Sequence, residues 1–132
     1  MLIALKNISP RYLEQEKITG SEVWKKDLQF SSEELVEIVA SSGRGKSSLI
    51  NFIYGTKSDF EGSILIDGKT IEKQNQAFLA LLRKEKLSVV FQDLRLFETR
   101  TCLENLMVKR ALNPYTSEDR IQQMAEKLGV SN

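Results

Sequence analysis

The stretch Val39-Ala-Ser-Ser-Gly-Arg-Gly-Lys-Ser-Ser48 decides the fold, because it joins an apolar segment to an apolar helix-like segment through a polar, glycine-containing loop. The segment before the loop, 35–40, is apolar except for one glutamate and is predicted to form a buried strand. The segment after it, 49–53, has apolar residues at helical spacing, and Gly55 provides a C-terminal stop. The loop is therefore predicted to lie at a helix N-terminus, where unpaired N–H groups and the helix dipole attract anions.

The residue types of this loop are typical of a site for the phosphates of a nucleoside triphosphate. Its two glycines allow the backbone to curl so that successive N–H groups point inward. The ammonium of Lys46 can reach the outer phosphates, and the hydroxyl of Ser47 can bind magnesium. The candidate binding residues of the loop are Ser41, Ser42, Gly43, Arg44, Gly45, Lys46, Ser47 and Ser48.

The loop departs from the pattern G-x-x-x-x-G-K-[ST] at one position, where Ala40 replaces the first glycine. An alanine disfavours positive φ, so it is tolerated there only if the backbone is strand-like. We expect a strand-like backbone, because Ala40 ends an apolar run. The alternative is that 41–48 is a flexible serine-glycine turn that happens to contain a lysine.

Other segments resemble, in the right order, those of the ATP-binding cassette (ABC) ATPase family. Two strand-like segments, 2–8 and 23–30, precede the loop, and 60–68 is similar to the strand and turn after the family's first helix. The segment 87–93 is similar to the family's Q-loop, with Gln92 as its glutamine. The resemblance covers nearly the whole chain and implies an α/β P-loop NTPase fold of the ABC type, incomplete here. It implies a mixed sheet, the phosphate-loop helix and the start of the helical subdomain.

The resemblance also implies ATP and Mg²⁺ as ligands and assigns roles to individual residues. Tyr12 stands where the family has an aromatic residue that stacks on adenine; the alternative is that Tyr12 only packs at the rim of the sheet. Lys46 and Gln92 are the implied catalytic residues, and Ser47 and Gln92 would share the magnesium ion. Without the resemblance, a lone glutamine would more often be a solvated surface residue.

The family's organisation implies a partial ATP-binding domain over 1–132, with a nucleotide-binding core at about 1–92 and the Q-loop and start of the helical subdomain at about 93–132. The stretch from Asp93 to Met107 is expected to contact a transmembrane transporter subunit. Its candidate contact residues are Arg95, Leu96, Phe97 and Arg100. A second ATP-binding cassette is the other implied partner, and part of the stretch slightly resembles lipoprotein-release and macrolide-export cassettes. The chain is thus expected to be an ATP-binding and, in the complete dimer, ATP-hydrolysing subunit, cytoplasmic and peripheral to the membrane.

Composition narrows the possible functions. The chain has 132 residues and 41% hydrophobic content, which fits about one domain. The near balance of 19 basic and 18 acidic residues gives no electrostatic footprint for nucleic acid, and no apolar run approaches the ~20 residues of a membrane span. There is no histidine, and the single Cys102 cannot form an internal disulfide; it is expected to be a small core residue rather than a nucleophile.

The remaining helices and turns are read from local signals. The segment from Ile71 to Lys86 and a segment that ends at Gly129 are predicted to be amphipathic helices. Thr101 and Glu104 form a capping-box pattern, and Thr116 or Ser117 is expected to cap the last helix. Asp67 and Asp93 each end an apolar run, as a magnesium-binding acid would. We instead expect Asp67 to form a hairpin turn with the glycine after it, and Asp93 to belong to the Q-loop.

Several alternatives stay open. The family's LSGGQ signature, its catalytic glutamate and its switch histidine are not found in this sequence, so we expect these residues alone to be marginally stable and inactive in ATP hydrolysis. A truncated, non-catalytic nucleotide-binding fragment is one alternative. A soluble ABC-type ATPase that acts on DNA or ribosomes is another, disfavoured by the neutral charge. A phosphate-loop kinase or GTPase lacks support, because no guanine-reading Asn-Lys-x-Asp run is present.

Overall fold

The computed structural model describes residues 1–71, 74–93, 95–112 and 114–130. The chain divides into two compact units, Met1–Lys86 and Leu87–Asn132. The first unit contains four strands, β1 (Leu2–Pro10), β2 (Asp27–Ser31), β3 (Phe60–Ile66) and β4 (Lys69–Thr70), and three helices, α1 (Gln15–Ile18), α2 (Lys46–Ile53) and α3 (Gln76–Glu85). The described part of the second unit contains α4 (Cys102–Leu112) and α5 (Glu118–Lys127).

The four strands form one sheet in the order β2-β1-β3-β4. The central strand β1 pairs with β2 and β3 in antiparallel register, so that Leu5 lies opposite Leu28 on one side and Ile64 on the other. Leu5, Ile8 and Ile64 are completely buried. Strand β1 is therefore the centre of the core, as its apolar sequence predicts.

The turn between β3 and β4 is the hairpin turn predicted at Asp67. Both turn residues have positive φ, 48° at Asp67 and 78° at Gly68, as a type I′ turn requires. The Asp67 carboxylate accepts hydrogen bonds from the side chain of Lys86 and from the backbone N–H of Leu2, at 2.9 Å for the latter. These contacts, the Lys86 bond foremost, lower the pKa of Asp67. Asp67 thus joins the start of β1 to the residue after α3.

Helix α2 packs its buried face against the sheet through aromatic contacts. The rings of Phe52 and Phe60 lie with centroids 4.8 Å apart, and Trp24 meets Phe52 edge-on at 6.5 Å. Leu49, one turn before Phe52, is also buried. The apolar residues at helical spacing therefore make the contact that fixes the position of α2 and of the loop before it.

The predicted buried strand at 35–40 is wrong in this structure. The segment has no strand assignment, and the side chain of Val39 is 83% exposed. The apolar segment 87–91 likewise forms no strand, and Val90 is almost fully exposed. An extended segment gains sheet hydrogen bonds only from a neighbouring strand, and the described residues provide none beside either segment. The α/β class is confirmed, but every ladder in the described residues is antiparallel, so the parallel part of the mixed sheet is not formed there.

Helix α3 starts later than the sequence prediction, at Gln76, where the side chain of Asn75 accepts a hydrogen bond of 2.9 Å from Phe78 N–H. Residues 72 and 73 of the predicted helix lie outside the described residues. Leu82 is buried, whereas Leu81 on the predicted apolar face is exposed. The apolar periodicity alone had placed the start of the helix earlier, because it does not take the capping residue into account.

In the second unit, both predicted helix caps are confirmed. Glu104 accepts a hydrogen bond of 2.8 Å from Thr101 N–H, and Thr101 Oγ1 accepts one of 3.2 Å from Glu104 N–H. The Thr101 N–H, with a smaller contribution from Arg100, lowers the pKa of Glu104. Ser117 caps α5 through a bond of 3.3 Å from Arg120 N–H. Cys102 is exposed, so its prediction as a core residue is wrong; as the first residue of α4 it lies on the solvent side of the capped turn.

We predict that Phe52→Ala destabilises the protein by about 3–5 kcal/mol, because it empties a site at the contact between α2 and the sheet. Phe52 has no exposed surface, whereas Ile50 on the same helix is 46% exposed. The matched control Ile50→Ala should therefore cost about 1 kcal/mol or less. Urea unfolding of both variants measures the difference, and equal losses would contradict the packing described here.

Candidate functional site

The glycine-containing loop lies at the N-terminus of α2, as the sequence predicts. Gly45 is the N-cap residue, with φ 91° and ψ 15°, and Gly43 also has positive φ at 77°. These two left-handed residues curl the chain just before the first helical turn. The N–H groups of the first turn of α2 have no partners within the helix, so this end of α2 is suited to an anion.

Ala40, the departure from the phosphate-loop pattern, does not have a left-handed backbone. Among the described residues, the non-glycine positions with positive φ are Asn7, Lys25, Asp67 and Arg95. Position 40 therefore has no conformational need for glycine, although the strand that was expected to end there is not formed.

Lys46, the first residue of α2, folds its side chain back over the loop. Its Nζ donates hydrogen bonds to the carbonyl oxygens of Ala40 and Ser41, the latter at 3.0 Å. The residue is exposed. The ammonium group therefore lies against the start of the loop, where it bonds neutral acceptors and stays accessible from solvent.

Trp24 supports the loop from the core, and the sequence analysis did not predict this role. The residue is only 4% exposed, and its indole Nε1 donates a hydrogen bond of 3.0 Å to the carbonyl of Arg44. A Cβ atom on Gly45 would lie 2.8 Å from the Trp24 ring, so no larger residue fits there without movement. The signal in the sequence was a single tryptophan in a strand-like segment, whose buried N–H must find an acceptor.

The side chain of Arg44 extends away from the loop to the end of α1. Its Nη1 donates to the carbonyl oxygens of Lys17 at 3.2 Å and Glu16 at 3.4 Å. The sequence analysis placed Arg44 among the binding residues of the loop. The structure shows its guanidinium on backbone carbonyls of α1, while its own carbonyl accepts the Trp24 bond.

Tyr12 lies beside the first turn of α2. Its hydroxyl donates a hydrogen bond to Ser48 Oγ, and the residue is 53% exposed. The structure thus brings Tyr12 and the loop together, although they are 36 residues apart in sequence. Stacking of its ring on adenine stays a prediction.

The other predicted site residues differ in their surroundings. Ser41, Ser42 and Ser47 are exposed, so their hydroxyls are accessible, and Ser47 also accepts a bond of 2.8 Å at its carbonyl from Asn51. Gln92 belongs to the second unit, where it is exposed. Its sharing of a magnesium ion with Ser47 stays a prediction.

The stretch predicted to contact a transmembrane partner is organised by one asparagine. The Asn105 amide accepts a bond of 2.8 Å from Phe97 N–H and donates to the carbonyls of Phe97, Arg100 and Thr101 at 3.2, 3.3 and 2.9 Å. Leu96 and Phe97 are held with exposed side chains. Leu94, within the predicted stretch, lies outside the described residues.

Two charged residues at the start of this stretch contact each other. Arg95 donates to the Asp93 carboxylate at 2.8 Å and lies over the Phe91 ring, 3.9 Å from its centroid. The Arg95 hydrogen bond lowers the pKa of Asp93. Asp93 is therefore occupied by a neighbour in the stretch, which agrees with its interpretation as part of the Q-loop rather than as a magnesium-binding acid.

Comparison with known proteins shows the family of the chain. Residues 25–132 match the family model described as ABC transporter. The chain belongs to the ABC transporter family. It is 35% identical, over 81% of its length, to the ABC transporter ATP-binding protein YxdL of Bacillus subtilis, and 32% identical, over 98%, to the methionine import ATP-binding protein MetN of Protochlamydia amoebophila.

A third relative of this ABC transporter family chain belongs to a lipoprotein-releasing system. The chain is 32% identical, over 87% of its length, to the lipoprotein-releasing system ATP-binding protein LolD of Aquifex aeolicus. It spans 44% of YxdL, 39% of MetN and 53% of LolD. None of the helices in the described residues is long and apolar enough to cross a membrane.

We predict that Gly45→Ala destabilises the loop region more than Gly43→Ala does. Both glycines have positive φ, which costs an alanine about 1–2 kcal/mol. Only the Gly45 methyl would meet the Trp24 ring, since a Cβ at Gly43 has nothing within 4 Å. Overpacking should add about 1–3 kcal/mol at Gly45, measured by urea unfolding. The second change Trp24→Phe should recover part of that extra loss, and no recovery would contradict the contact.

Proposed function

We propose that this chain binds ATP with magnesium at the loop before α2 and that, in a complete cassette dimer, it takes part in the ATP hydrolysis that powers an ABC transporter. The observation that carries the proposal is the geometry of Lys46 at a helix N-terminus. Its ammonium lies on two loop carbonyls, beside N–H groups that have no partners within α2. This arrangement suits a polyanion, because each of its parts favours negative charge.

Lys46 would exchange its neutral partners for phosphate oxygens when the nucleotide binds. The present bonds have one charged partner, the ammonium, whereas bonds to phosphate have two charged partners of opposite sign, so the exchange is favourable. The backbone N–H groups of 43–48 would hold the phosphate chain, and Lys46 would stabilise charge on the β and γ phosphates. Its position is fixed beforehand by Gly45 and the packing of α2, which keeps the reorganisation small.

Magnesium fits the oxygen donors available at this site. When bound, the ion would neutralise charge shared by the phosphate groups and orient them. The exposed hydroxyl of Ser47 would hold it from the first turn of α2, and the side-chain oxygen of Gln92 would be a second ligand. Both would supply an oxygen ligand, the donor type that magnesium takes.

Tyr12 would hold the adenine base. Its hydroxyl bond to Ser48 places the ring beside the phosphate-binding turn, and half of the residue remains exposed for contact with a ligand. A flat aromatic face binds a base without demanding a particular pattern of hydrogen bonds. The proposed site thus has a base end at Tyr12 and a phosphate end at Lys46.

The stretch from Asp93 to Met107 would contact a transmembrane subunit, with Arg95, Leu96, Phe97 and Arg100 as contact residues. Phe97 and Arg100 border an open groove on α4 that is lined further by Leu103, Met107 and Val108. The Asn105 bonds join Phe97 and Thr101, so the side chains between these two residues can be held in fixed positions for the partner. Contact with a membrane-embedded partner would place the protein at the cytoplasmic face of a membrane.

The second partner would be another cassette. No LSGGQ signature, catalytic glutamate or switch histidine occurs in this sequence, so residues 1–132 alone should not hydrolyse ATP. The names of the relatives include methionine import and lipoprotein release. The proposal therefore assigns neither a transported substrate nor a direction.

We predict that Lys46→Ala in the full-length native protein weakens ATP binding by about 100-fold or more, because it removes the charged group that faces the phosphates. Lys57→Ala removes an exposed lysine from the same unit and serves as the charge-matched control. Isothermal titration calorimetry with Mg-ATP gives both affinities. Unchanged binding by Lys46→Ala would show that the loop is not the phosphate site.

We predict that Tyr12→Ala weakens ATP binding by about 1–3 kcal/mol, the range for loss of a base-stacking aromatic residue. The matched variant Tyr12→Phe keeps the ring and loses only the hydroxyl bond to Ser48. It should bind ATP within about 1 kcal/mol of the native protein. If both variants bind like the native protein, Tyr12 is a rim residue of the sheet rather than the base platform.

A further inference from the structure

Arg44 connects the loop to the segment 12–24 through both its side chain and its backbone carbonyl. Its guanidinium donates to the carbonyls of Glu16 and Lys17, and its own carbonyl accepts from the Trp24 indole. These three bonds link residues that are 20 to 28 positions apart. One loop residue is therefore held at two separate places in the segment that connects β1 to β2.

The Trp24 side of this link is rigid. Ser21 Oγ accepts bonds from the N–H groups of Val23 at 3.1 Å and Trp24 at 3.0 Å, which closes a tight turn. Lys25 N–H, next along the chain, donates to the carbonyl of Ile8 at 2.8 Å. The tryptophan ring is buried against Phe52. The carbonyl of Arg44 thus has a fixed donor that belongs to the core.

The α1 side of the link combines the two Arg44 bonds with two other contacts, the burial of Ile18 and a bond of 3.4 Å from Lys25 Nζ to Gln15 Oε1. Helix α1 has four residues, and none of them except Ile18 is buried. An isolated helix of this length gains little stability from its own hydrogen bonds, so its position depends on contacts with the rest of the fold. A cation at its carbonyl end is favourable, and the guanidinium can donate to two acceptors at once.

Tyr12 lies at the start of the same segment. Its hydroxyl bonds Ser48, and the chain then turns through a bond of 3.3 Å from Leu13 N–H to the Pro10 carbonyl before it enters α1. The exposed face of Tyr12 therefore depends on where the segment 12–18 lies relative to the loop. Arg44 contributes to that position through its two bonds to α1.

We propose that Arg44 is a positioning residue for the nucleoside: its side chain ties α1, and through it Tyr12, to the phosphate loop, while Trp24 fixes its carbonyl. The proposal rests on the proposed function, because it assumes that Tyr12 is the base platform. Arg44 then acts on the base end of the ligand and not as a phosphate ligand. Its guanidinium is already engaged by the α1 carbonyls, whereas Lys46 supplies the charge at the phosphate end.

The test compares a ligand that has a base with one that lacks it. In the full-length native protein, Kd for Mg-ATP and for Mg-tripolyphosphate is measured for Arg44→Met and for the charge-matched control Lys57→Met. Arg44→Met should weaken ATP binding by about three- to tenfold, which corresponds to the net contribution of one ordinary hydrogen bond. Tripolyphosphate binding should change by about twofold or less and match the control, because an exposed charge is screened.

A double-mutant cycle with Tyr12→Ala tests whether Arg44 acts through Tyr12. In the Tyr12→Ala background, Arg44→Met should weaken ATP binding by less than about twofold, since the group that it positions is gone. Arg44→Lys keeps the charge but loses the planar fork, so it should weaken ATP binding to an intermediate degree. It also repeats the comparison if Arg44→Met does not fold.

The outcomes separate this proposal from its alternatives. Equal weakening of ATP and tripolyphosphate binding would overturn it and make Arg44 a phosphate ligand. Unchanged ATP binding by Arg44→Met, or additive losses in the cycle, would also overturn it. If the native protein binds neither ligand, the proposed function itself fails. Binding of ATP by the native protein together with an Arg44 effect confined to ATP supports both.

Discussion

The contact between Trp24 and Gly45 is the interaction on which the site depends. The indole ring fills the space that a side chain at residue 45 would need, so the N-cap of α2 can only be glycine without a shift of the loop or the ring. The same ring meets Phe52 in the core and donates its N–H to the loop. One buried side chain therefore joins helix α2 to the curled backbone that precedes it.

This contact explains how an exposed loop can be preorganised. Loops with few buried groups are usually mobile, and ordering them on binding costs conformational entropy. Here the backbone is held at Arg44 by Trp24 and at its start by Lys46, which bonds two carbonyls. A phosphate group would need to displace only the Lys46 contacts, because the curled backbone is already held by its contact with the buried Trp24. The loop can thus be both accessible and fixed.

The features predicted correctly from the sequence are those whose causes lie within a few residues. The Thr101–Glu104 capping box, the Ser117 cap and the turn at Asp67 each need only neighbours in the chain. The strand at 35–40 failed because a strand depends on a partner elsewhere, which no local pattern reveals. The Trp24 and Arg44 contacts were missed for the same reason, since they join residues 20 or more positions apart.

The lack of strand pairing at 35–40 also shows which part of the fold determines the conformation of the loop. The segment 35–40 is exposed and unpaired, yet the loop that follows it has its left-handed glycines, and Ala40 keeps negative φ. The geometry of the loop therefore comes from its helix side, through α2 and Trp24, and not from strand pairing on the other side. Pairing would restrain the backbone of 35–40 and bury Val39. It would leave the contacts of Trp24 with Gly45 and with the Arg44 carbonyl as they are, because Trp24 is already buried against α2.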